Sequence, residues 1–163
     1  GQMPSNFLSS SKIIPFNFLE LFRTAIDDRC RVVATNGCFD ILHVGHATYL
    51  QKAKTFGDVL ILGVDSDSLV KALKGESRPI NNQDHRAYLL SSLSCVDFVT
   101  VFPTSSSDFI RKVRPDVYVK GGDYDDSSLN PKDLDVLSDI NCVRKFVPFE
   151  INISTSKIIK QCN

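Results

Sequence analysis

The chain has 163 residues, 42% of them hydrophobic, which suits one domain with a core of ordinary size. Its 19 basic residues balance 19 acidic ones, and this neutrality argues against nonspecific binding to nucleic acid, which usually needs a basic excess. No run of about 18 apolar residues occurs, so no transmembrane helix is expected.

The N-terminus and the cysteines bear on processing and location. Gly1-Gln2 ahead of Met3 looks like a cloning tag, and residues 1–12 are polar and rich in serine. We therefore expect a tag and a disordered N-terminus over residues 1–12, then one domain over residues 13–163. No signal peptide is visible, and the five cysteines show no zinc or redox spacing. These features predict a reducing, cytoplasmic location.

Apolar and amphipathic segments alternate along the rest of the chain. Segments with helical spacing span residues 16–26, 47–56, 66–73, 83–93, 107–113, 131–140 and 154–161. Apolar runs that read as buried strands span residues 31–35, 58–64, 96–102, 116–120 and 142–147. Because no two-residue hairpin turn separates them, the pattern predicts a single α/β domain, with a parallel sheet and helices on both faces.

The turn after the first strand carries most of the chemically informative residues. It reads Thr-Asn-Gly-Cys-Phe-Asp-Ile-Leu-His-Val-Gly-His over residues 35–46, and we call it the signature turn. His43 and His46 stand three residues apart at the start of a helix, which places both imidazoles on one side. Free backbone N–H groups and the helix dipole favour an anion there. The signature turn therefore predicts a phosphate site.

Three other interpretations of these residues stay open. The histidines could be a helix cap and a surface residue. They could also bind zinc, although no third and fourth ligand follows in a zinc spacing. Cys38 could be a nucleophile, although no base is evident near it in the sequence.

The signature turn resembles the H-x-G-H motif of the nucleotidyltransferase superfamily that includes the cytidylyltransferases. Its full length is most similar to the adenylyltransferase domain of bacterial ADP-heptose synthases. Further stretches of that resemblance are Val-Asp-Ser-Asp at 64–67, Leu-Lys-Gly-Glu-Ser-Arg-Pro-Ile at 73–80, Asp-His-Arg at 84–86, Val-Lys-Gly-Gly-Asp-Tyr at 119–124 and Ser-Thr-Ser at 154–156. The last differs from the family's Ser-Thr-Thr, and Asn152-Ile153 stands where the family has a preceding glycine.

The resemblance implies a Rossmann-like sheet of order 3-2-1-4-5 with the first strand central. It also implies transfer of a nucleoside monophosphate from a nucleoside triphosphate to a phosphorylated acceptor, with release of pyrophosphate. The attacking phosphate monoester has a second pKa of about 6 and is already ionised near neutral pH, so no general base is required. Hydrogen-bond donors and cations must instead stabilise the charge of the transferred and leaving groups.

The resemblance also implies roles for individual residues. His43, His46 and Lys74 would be catalytic, with Lys74 carried on a loop over residues 74–82 that is mobile without ligand. Replacing either histidine by alanine is expected to slow turnover with little change in stability. Mg2+ would accompany the triphosphate without protein ligands. The residues expected to bind the nucleotide are Asn36, Gly37, Cys38, Phe39, Gly45, Asp65, Arg86, Lys120, Gly122, Asp123, Ser154, Thr155 and Ser156.

We therefore expect an adenylyltransferase that joins the AMP of ATP to a sugar 1-phosphate, D-glycero-D-manno-heptose 1-phosphate being the first candidate, in the synthesis of a lipopolysaccharide precursor. The runner-up is a cytidylyltransferase that uses CTP and glycerol 3-phosphate, followed by a flavin-adenylating enzyme. A nucleotide-binding module without turnover is the alternative of a different class. Expected partners are ATP and the sugar phosphate, with neither nucleic acid nor membrane, and a homodimer is considered. The family's two-domain members also carry a sugar kinase, so we expect a standalone transferase or a fragment.

Overall fold

Five parallel strands form one sheet in the structure, a computed structural model that describes residues 8–121 and 125–148. They are β1 (Val32–Gly37), β2 (Val59–Asp65), β3 (Phe98–Phe102), β4 (Val117–Gly121) and β5 (Val143–Val147). Their order is β3-β2-β1-β4-β5, with β1 central and paired to β2 and β4. The predicted sheet and its order are confirmed.

Six α-helices connect or flank these strands in the described residues. They are α1 (Leu19–Thr24), α2 (Val44–Lys54), α3 (Asp67–Lys74), α4 (Gln83–Ser91), α5 (Ser106–Val113) and α6 (Pro131–Asp139). Short 3-10 turns occur at Phe16–Phe18 and Asp126–Ser128. The helix predicted over residues 154–161 lies outside the described residues.

The core consists of two apolar clusters, one on each face of the sheet. Successive residues of β1 divide between them, because side chains alternate along a strand: Val33 joins one cluster and Ala34 the other. Residues of α2 and α4 complete the first cluster, while residues of α1, α5 and α6 complete the second. Helices therefore cover both faces, as predicted.

Several predicted helix limits differ from those in the structure. The segment over residues 16–26 opens as a 3-10 turn and is α-helical only over Leu19–Thr24. The segment over residues 47–56 corresponds to α2, which begins earlier, at Val44, and ends at Lys54 with Thr55 as its cap, before Gly57. A Cβ at Gly57 would lie 2.6 Å from the carbonyl oxygen of Arg31, so the glycine permits a close backbone approach.

The N-terminal segment lies along the outer side of β3. The N–H of Val99 donates to the carbonyl of Lys12 at 2.9 Å, and the N–H of Ile14 donates to the carbonyl of Val99 at 2.8 Å. The Lys12 ammonium also donates to the carbonyls of Leu93 and Val96. Ordered packing therefore begins by Lys12, one residue before the expected start of the domain. Among the described residues, no helix combines the length and apolar character that crossing a membrane requires.

Candidate active site

The signature turn leaves the carboxyl end of β1, where the neighbouring connections run in opposite directions. One connection leads to β2 on one side of β1, and β4 lies on the other side. Such a switch point opens a crevice beyond the strand ends, where ligands of parallel sheets bind. Every predicted site residue in the described part of the chain lies along this edge or on the elements that border it.

Polar contacts fix the floor of the crevice. The Tyr118 hydroxyl donates to the side-chain oxygen of Asn36, and the Lys120 ammonium donates to the Asn36 carbonyl at 2.9 Å. On the other face, the Tyr49 hydroxyl lies 2.8 Å from the Thr35 hydroxyl. These contacts tie β4 and α2 to β1, so the backbone of the signature turn starts from a fixed position.

The first part of the turn is shaped by Phe39. Its φ of 52° lies in the left-handed region, which non-glycine residues seldom adopt. Its ring lies 3.3 Å from the position that a Cβ on Gly37 would occupy, so that glycine leaves room for the ring. The same ring meets His46 edge to face, with centroids 5.9 Å apart. Phe39 therefore packs against His46.

The thiol of Cys38 is not activated in this setting. Burial raises its pKa, and this effect is larger than the opposing influence of Lys74 and Arg86. A protonated thiol is a poor nucleophile. The structure therefore gives no support to the alternative in which Cys38 forms a covalent intermediate.

His43 and His46 are joined through the first turn of α2. Nδ1 of His43 accepts the N–H of Gly45 at 3.0 Å, which makes His43 the N-cap of the helix. Nδ1 of His46 accepts the N–H of His43 at 3.3 Å. The two ring centroids lie 4.0 Å apart. Because Nδ1 accepts in both rings, each neutral imidazole carries its proton on Nε2 and is a donor at that atom.

Both imidazoles are held in the neutral form. Burial lowers the pKa of His43. Burial, and secondly the neighbouring His43, lower the pKa of His46 to about 4. Near neutral pH each ring is therefore neutral with its proton on Nε2, and the pair adds no positive charge to the turn. A cap role for His43 is confirmed, but both rings are partly buried, which does not fit the interpretation of one as a plain surface residue.

Lys74 lies at the end of a helix rather than in a loop. It is the last residue of α3, and Gly75 follows as the cap with a φ of 98°. The side chain is exposed, and its charge helps to lower the pKa of Asp65 against the raising effect of burial. Lys74 therefore acts on the carboxyl edge of β2, and the predicted loop begins at Gly75.

Arg86 makes contacts that differ from the predicted ones. Its side chain is 1% exposed. The guanidinium donates to the carbonyls of Cys38 at 2.8 Å, Asp65 at 2.7 Å and Asn81 at 2.9 Å, and to the Asp67 carboxylate at 2.8 Å. Four of its five N–H groups are thus used inside the protein. In this structure Arg86 braces the site, and direct contact with nucleotide stays a prediction.

Lys120 is a half-buried cation beneath the crevice. Burial lowers the pKa of its ammonium, while the carboxylates of Asp133 and Asp65 act in the opposite direction. Its bond to Asn36 leaves it below the signature turn rather than in front of it. The predicted residues Gly122, Asp123, Ser154, Thr155 and Ser156 lie outside the described residues.

The described part of the chain offers hydrogen-bond donors at this site and no set of side chains suited to bind a metal ion. No group of three or more His, Cys, Asp or Glu side chains there could hold a metal ion, and so the zinc interpretation lacks a ligand set among those residues. The Nδ1 atoms of both signature histidines already accept backbone N–H groups. Mg2+ bound through a triphosphate stays a prediction.

Comparison with known proteins gives the family. The family model described as cytidylyltransferase-like matches residues 34–161. The chain belongs to the cytidylyltransferase-like family. The predicted superfamily is thereby confirmed, and membership supports nucleotidyltransferase activity.

Curated relatives of this cytidylyltransferase-like chain are longer proteins. The bifunctional protein HldE of Aliarcobacter butzleri is 53% identical over 132 residues, which are 80% of this chain and 26% of the relative. HldE of Helicobacter pylori strain J99 is 45% identical over 151 residues, which are 92% of this chain and 31% of the relative. The chain therefore spans about a quarter to a third of the length of these relatives.

Two solved structures share the fold. A lipopolysaccharide core biosynthesis protein from Thermoplasma volcanium superposes with a TM-score of 0.61 at 29% identity, covering 76% of this chain and 99% of that one. A pantoate-beta-alanine ligase from Francisella tularensis gives a TM-score of 0.62 at 14% identity, covering 92% of this chain and 76% of that one. The second likeness concerns the fold alone.

Sequence reasoning missed Asp40 in this cytidylyltransferase-like site. Its carboxylate accepts the N–H groups of Ile80 and Asn81, both at 2.8 Å. The only signal in the sequence was its place inside the signature turn, in front of the histidines. Its partners lie about 40 residues away along the chain, so no local pattern reveals the contact.

Proposed function

We propose that the chain transfers AMP from ATP to the phosphate of a sugar 1-phosphate, with D-glycero-D-manno-heptose 1-phosphate as the first acceptor to test. The pair of neutral Nε2–H donors at the N-terminus of α2 carries the proposal, because it suits a polyphosphate at that point. The 53% and 45% identity to HldE proteins supports the choice of adenylyl transfer.

The reaction is an in-line displacement at the α-phosphorus of ATP. An oxygen of the acceptor phosphate forms the new bond, and the bond from the α-phosphorus to the bridging oxygen breaks. Pyrophosphate leaves with the electron pair, and the product is an ADP-sugar. Because the attacking oxygen is already ionised near neutral pH, the protein needs donors and cations rather than a base.

His43 and His46 would donate from Nε2 to the phosphate oxygens on which charge develops. Neutral rings suit this task, since their donors are held in place and need no proton transfer during the reaction. The Lys74 ammonium would approach from the end of α3 and offset charge on the leaving group. Asn36, Gly37 and Gly45 would let the triphosphate approach the backbone.

Mg2+ belongs to this proposal as a companion of ATP. It would be bound by phosphate oxygens and would reduce the repulsion between the triphosphate and the acceptor phosphate. The carboxylate of Asp65 lies at this edge, and burial raises its pKa. We expect Asp65 to face the ribose or the base rather than phosphate.

Transfer of CMP from CTP to glycerol 3-phosphate is the second candidate, favoured by the cytidylyltransferase-like family match itself. The decisive assay measures pyrophosphate release from ATP and from CTP, each with heptose 1-phosphate and with glycerol 3-phosphate, and each without acceptor. ATP with heptose 1-phosphate should exceed the CTP reaction at least about tenfold in kcat/KM, or roughly 1.4 kcal/mol. Preference for CTP would select the second candidate. Nucleotide binding without turnover in every combination would indicate a silent binding module.

A further inference from the structure

Asp40 joins the signature turn to the segment that follows Lys74. Its side chain is 9% exposed, and its two carboxylate oxygens accept the N–H groups of Ile80 and Asn81, each at 2.8 Å. The side chain of Asn81 returns a bond of 2.7 Å to the Asp40 carbonyl. Arg78 adds an ion pair at 3.7 Å. A carboxylate that accepts two backbone N–H groups forms bonds of the charge-assisted kind.

Arg86 also joins Asn81 to the signature turn. Its guanidinium donates to the Asn81 carbonyl and to the Cys38 carbonyl. The backbone N–H, the backbone carbonyl and the side chain of Asn81 are therefore all bonded to the signature turn or to Arg86. This end of the predicted loop is held by polar contacts, which the low apolar content of the sequence did not reveal.

The end of the segment next to Lys74 is exposed rather than held by such bonds. Gly75 has a φ of 98°, and a Cβ built there would meet nothing within 4 Å. Residues 75–77 are exposed. The segment is thus exposed beside Lys74 and tied to the signature turn at Ile80 and Asn81, and mobility of residues 74–82 without ligand stays a prediction.

We propose that Asp40 is a positioning residue, which holds the segment after Lys74 against the histidine-bearing turn and so sets where the Lys74 ammonium can reach. His43 follows Asp40 by three residues, so the segment and the cap of α2 are both attached to the same short stretch of the signature turn. The catalytic consequence rests on the proposed adenylyl transfer, whereas the tie itself is independent of the reaction.

Kinetics on a double-mutant cycle tests the consequence. Asp40→Ala should lower kcat about 10- to 100-fold, because small misplacements of a catalytic group cost that much. In the Lys74→Ala background the same change should have little further effect, since the residue that Asp40 places is gone. Independent, multiplicative losses would overturn the proposal, and so would unchanged kcat in Asp40→Ala.

A matched control lies at the amino ends of the strands, next to β1 and β2. The Asp58 carboxylate accepts the N–H of Arg31 at 2.7 Å, far from the carboxyl ends of the strands. Asp58→Ala should leave kcat unchanged. It should also leave the effect of Lys74→Ala on kcat unchanged. Should Asp40→Ala fail to fold, Asp40→Asn keeps one acceptor oxygen and should give a smaller loss of kcat with the same dependence on Lys74.

Amide hydrogen exchange followed by NMR tests the tie without any substrate. The amides of Ile80 and Asn81 should be protected in the original protein and should exchange at least about tenfold faster in Asp40→Ala, while amides of β1 keep their protection. Equal exchange in both proteins would overturn the tie. If the original protein shows no adenylyl transfer, the proposed function fails while this result still decides whether Asp40 holds the segment.

Discussion

The imidazole of His46 accepts the backbone N–H of His43 through Nδ1 at 3.3 Å, while His43 itself caps α2 through the N–H of Gly45. Each ring therefore uses one nitrogen for the fold and carries a proton on the other. The expectation that alanine at these positions changes stability little is revised by this geometry, because removal of a cap costs about 1 kcal/mol.

Two substitutions of His43 separate its structural and chemical parts. His43→Ala should lower the free energy of unfolding by about 1 kcal/mol and turnover by about 100-fold. His43→Asn should keep the cap, since its amide oxygen can accept the same N–H, yet should remain about 100-fold slow because the Nε2 donor is lost. Urea unfolding and pyrophosphate release measure the two effects.

Ser105 supplies the control for that pair. Its hydroxyl caps α5 by accepting the N–H of Asp108 at 3.1 Å, at the start of a helix on the second core cluster. Ser105→Ala should lose similar stability and keep full turnover. Full turnover in His43→Asn would show that His43 serves only as a cap.

The depressed pKa of His46 predicts a pH-dependent stability. In the folded state His46 stays neutral down to about pH 4, whereas an unfolded histidine takes up its proton near pH 6.5. The unfolded state therefore binds more protons between these values, and stability falls as the pH is lowered through that window. His46→Gln should remove a loss of roughly 1–2 kcal/mol between pH 6.5 and 4, the full shift being reduced because the ring is partly exposed, as seen by comparing urea unfolding curves.

His85 is the matched control, because it is exposed on α4. His85→Gln should leave the pH dependence of the original protein nearly unchanged. Parallel stability curves for His46→Gln and the original protein would contradict a buried neutral His46.

Lys74 is predicted to matter for kcat more than for folding. It is exposed at the end of α3, so Lys74→Ala should leave the unfolding curve unchanged. Turnover should fall about 100-fold or more, because the cation counts most where charge develops. Lys74→Arg should recover only part of the loss, since a planar guanidinium cannot occupy the place of an ammonium. A solvated lysine without a role would give near-normal steady-state kinetics in both variants.

Arg86→Lys is predicted to damage the fold and the site together. A lysine keeps the charge but cannot serve four partners in four directions. Carbonyls of Cys38 and Asp65 would lose their donor, which should lower the free energy of unfolding by about 2–3 kcal/mol. Arg29→Lys is the control, because Arg29 pairs with Asp27 at 2.8 Å on the surface and is 91% exposed. Equal stability losses in the two variants would contradict a brace role for Arg86.

The alternation of apolar and amphipathic segments was enough to predict the sheet. β1 and β2 are buried over most of their length, and their apolar runs, Val-Val-Ala in β1 and Val-Leu-Ile-Leu in β2, identify them without tertiary information. The strand order came from the resemblance of the signature turn, not from periodicity. The placement of His43 and His46 at a helix start followed from spacing alone.

The connections made by Arg86 and Asp40 could not be predicted in the same way. Each joins backbone groups from segments that are distant in sequence, and only the folded chain brings those groups together. One signal for Arg86 was available: on α4 it lies beside Ala87 and four residues before Leu90, so it falls on the buried face. A charged residue on such a face needs partners, and the carbonyls of the site supply them.

The pairing of Lys12 and Ile14 with Val99 has a consequence for association between chains. An open strand edge offers its N–H and carbonyl groups to any passing strand, and β3 would be such an edge if the segment were removed. The opposite edge strand, β5, carries Arg144 and Lys145 at its centre, a charged composition that discourages strand addition. A shortened protein that starts beyond Ile14 should therefore keep the crevice at the carboxyl ends of the strands but gain a tendency to aggregate through β3.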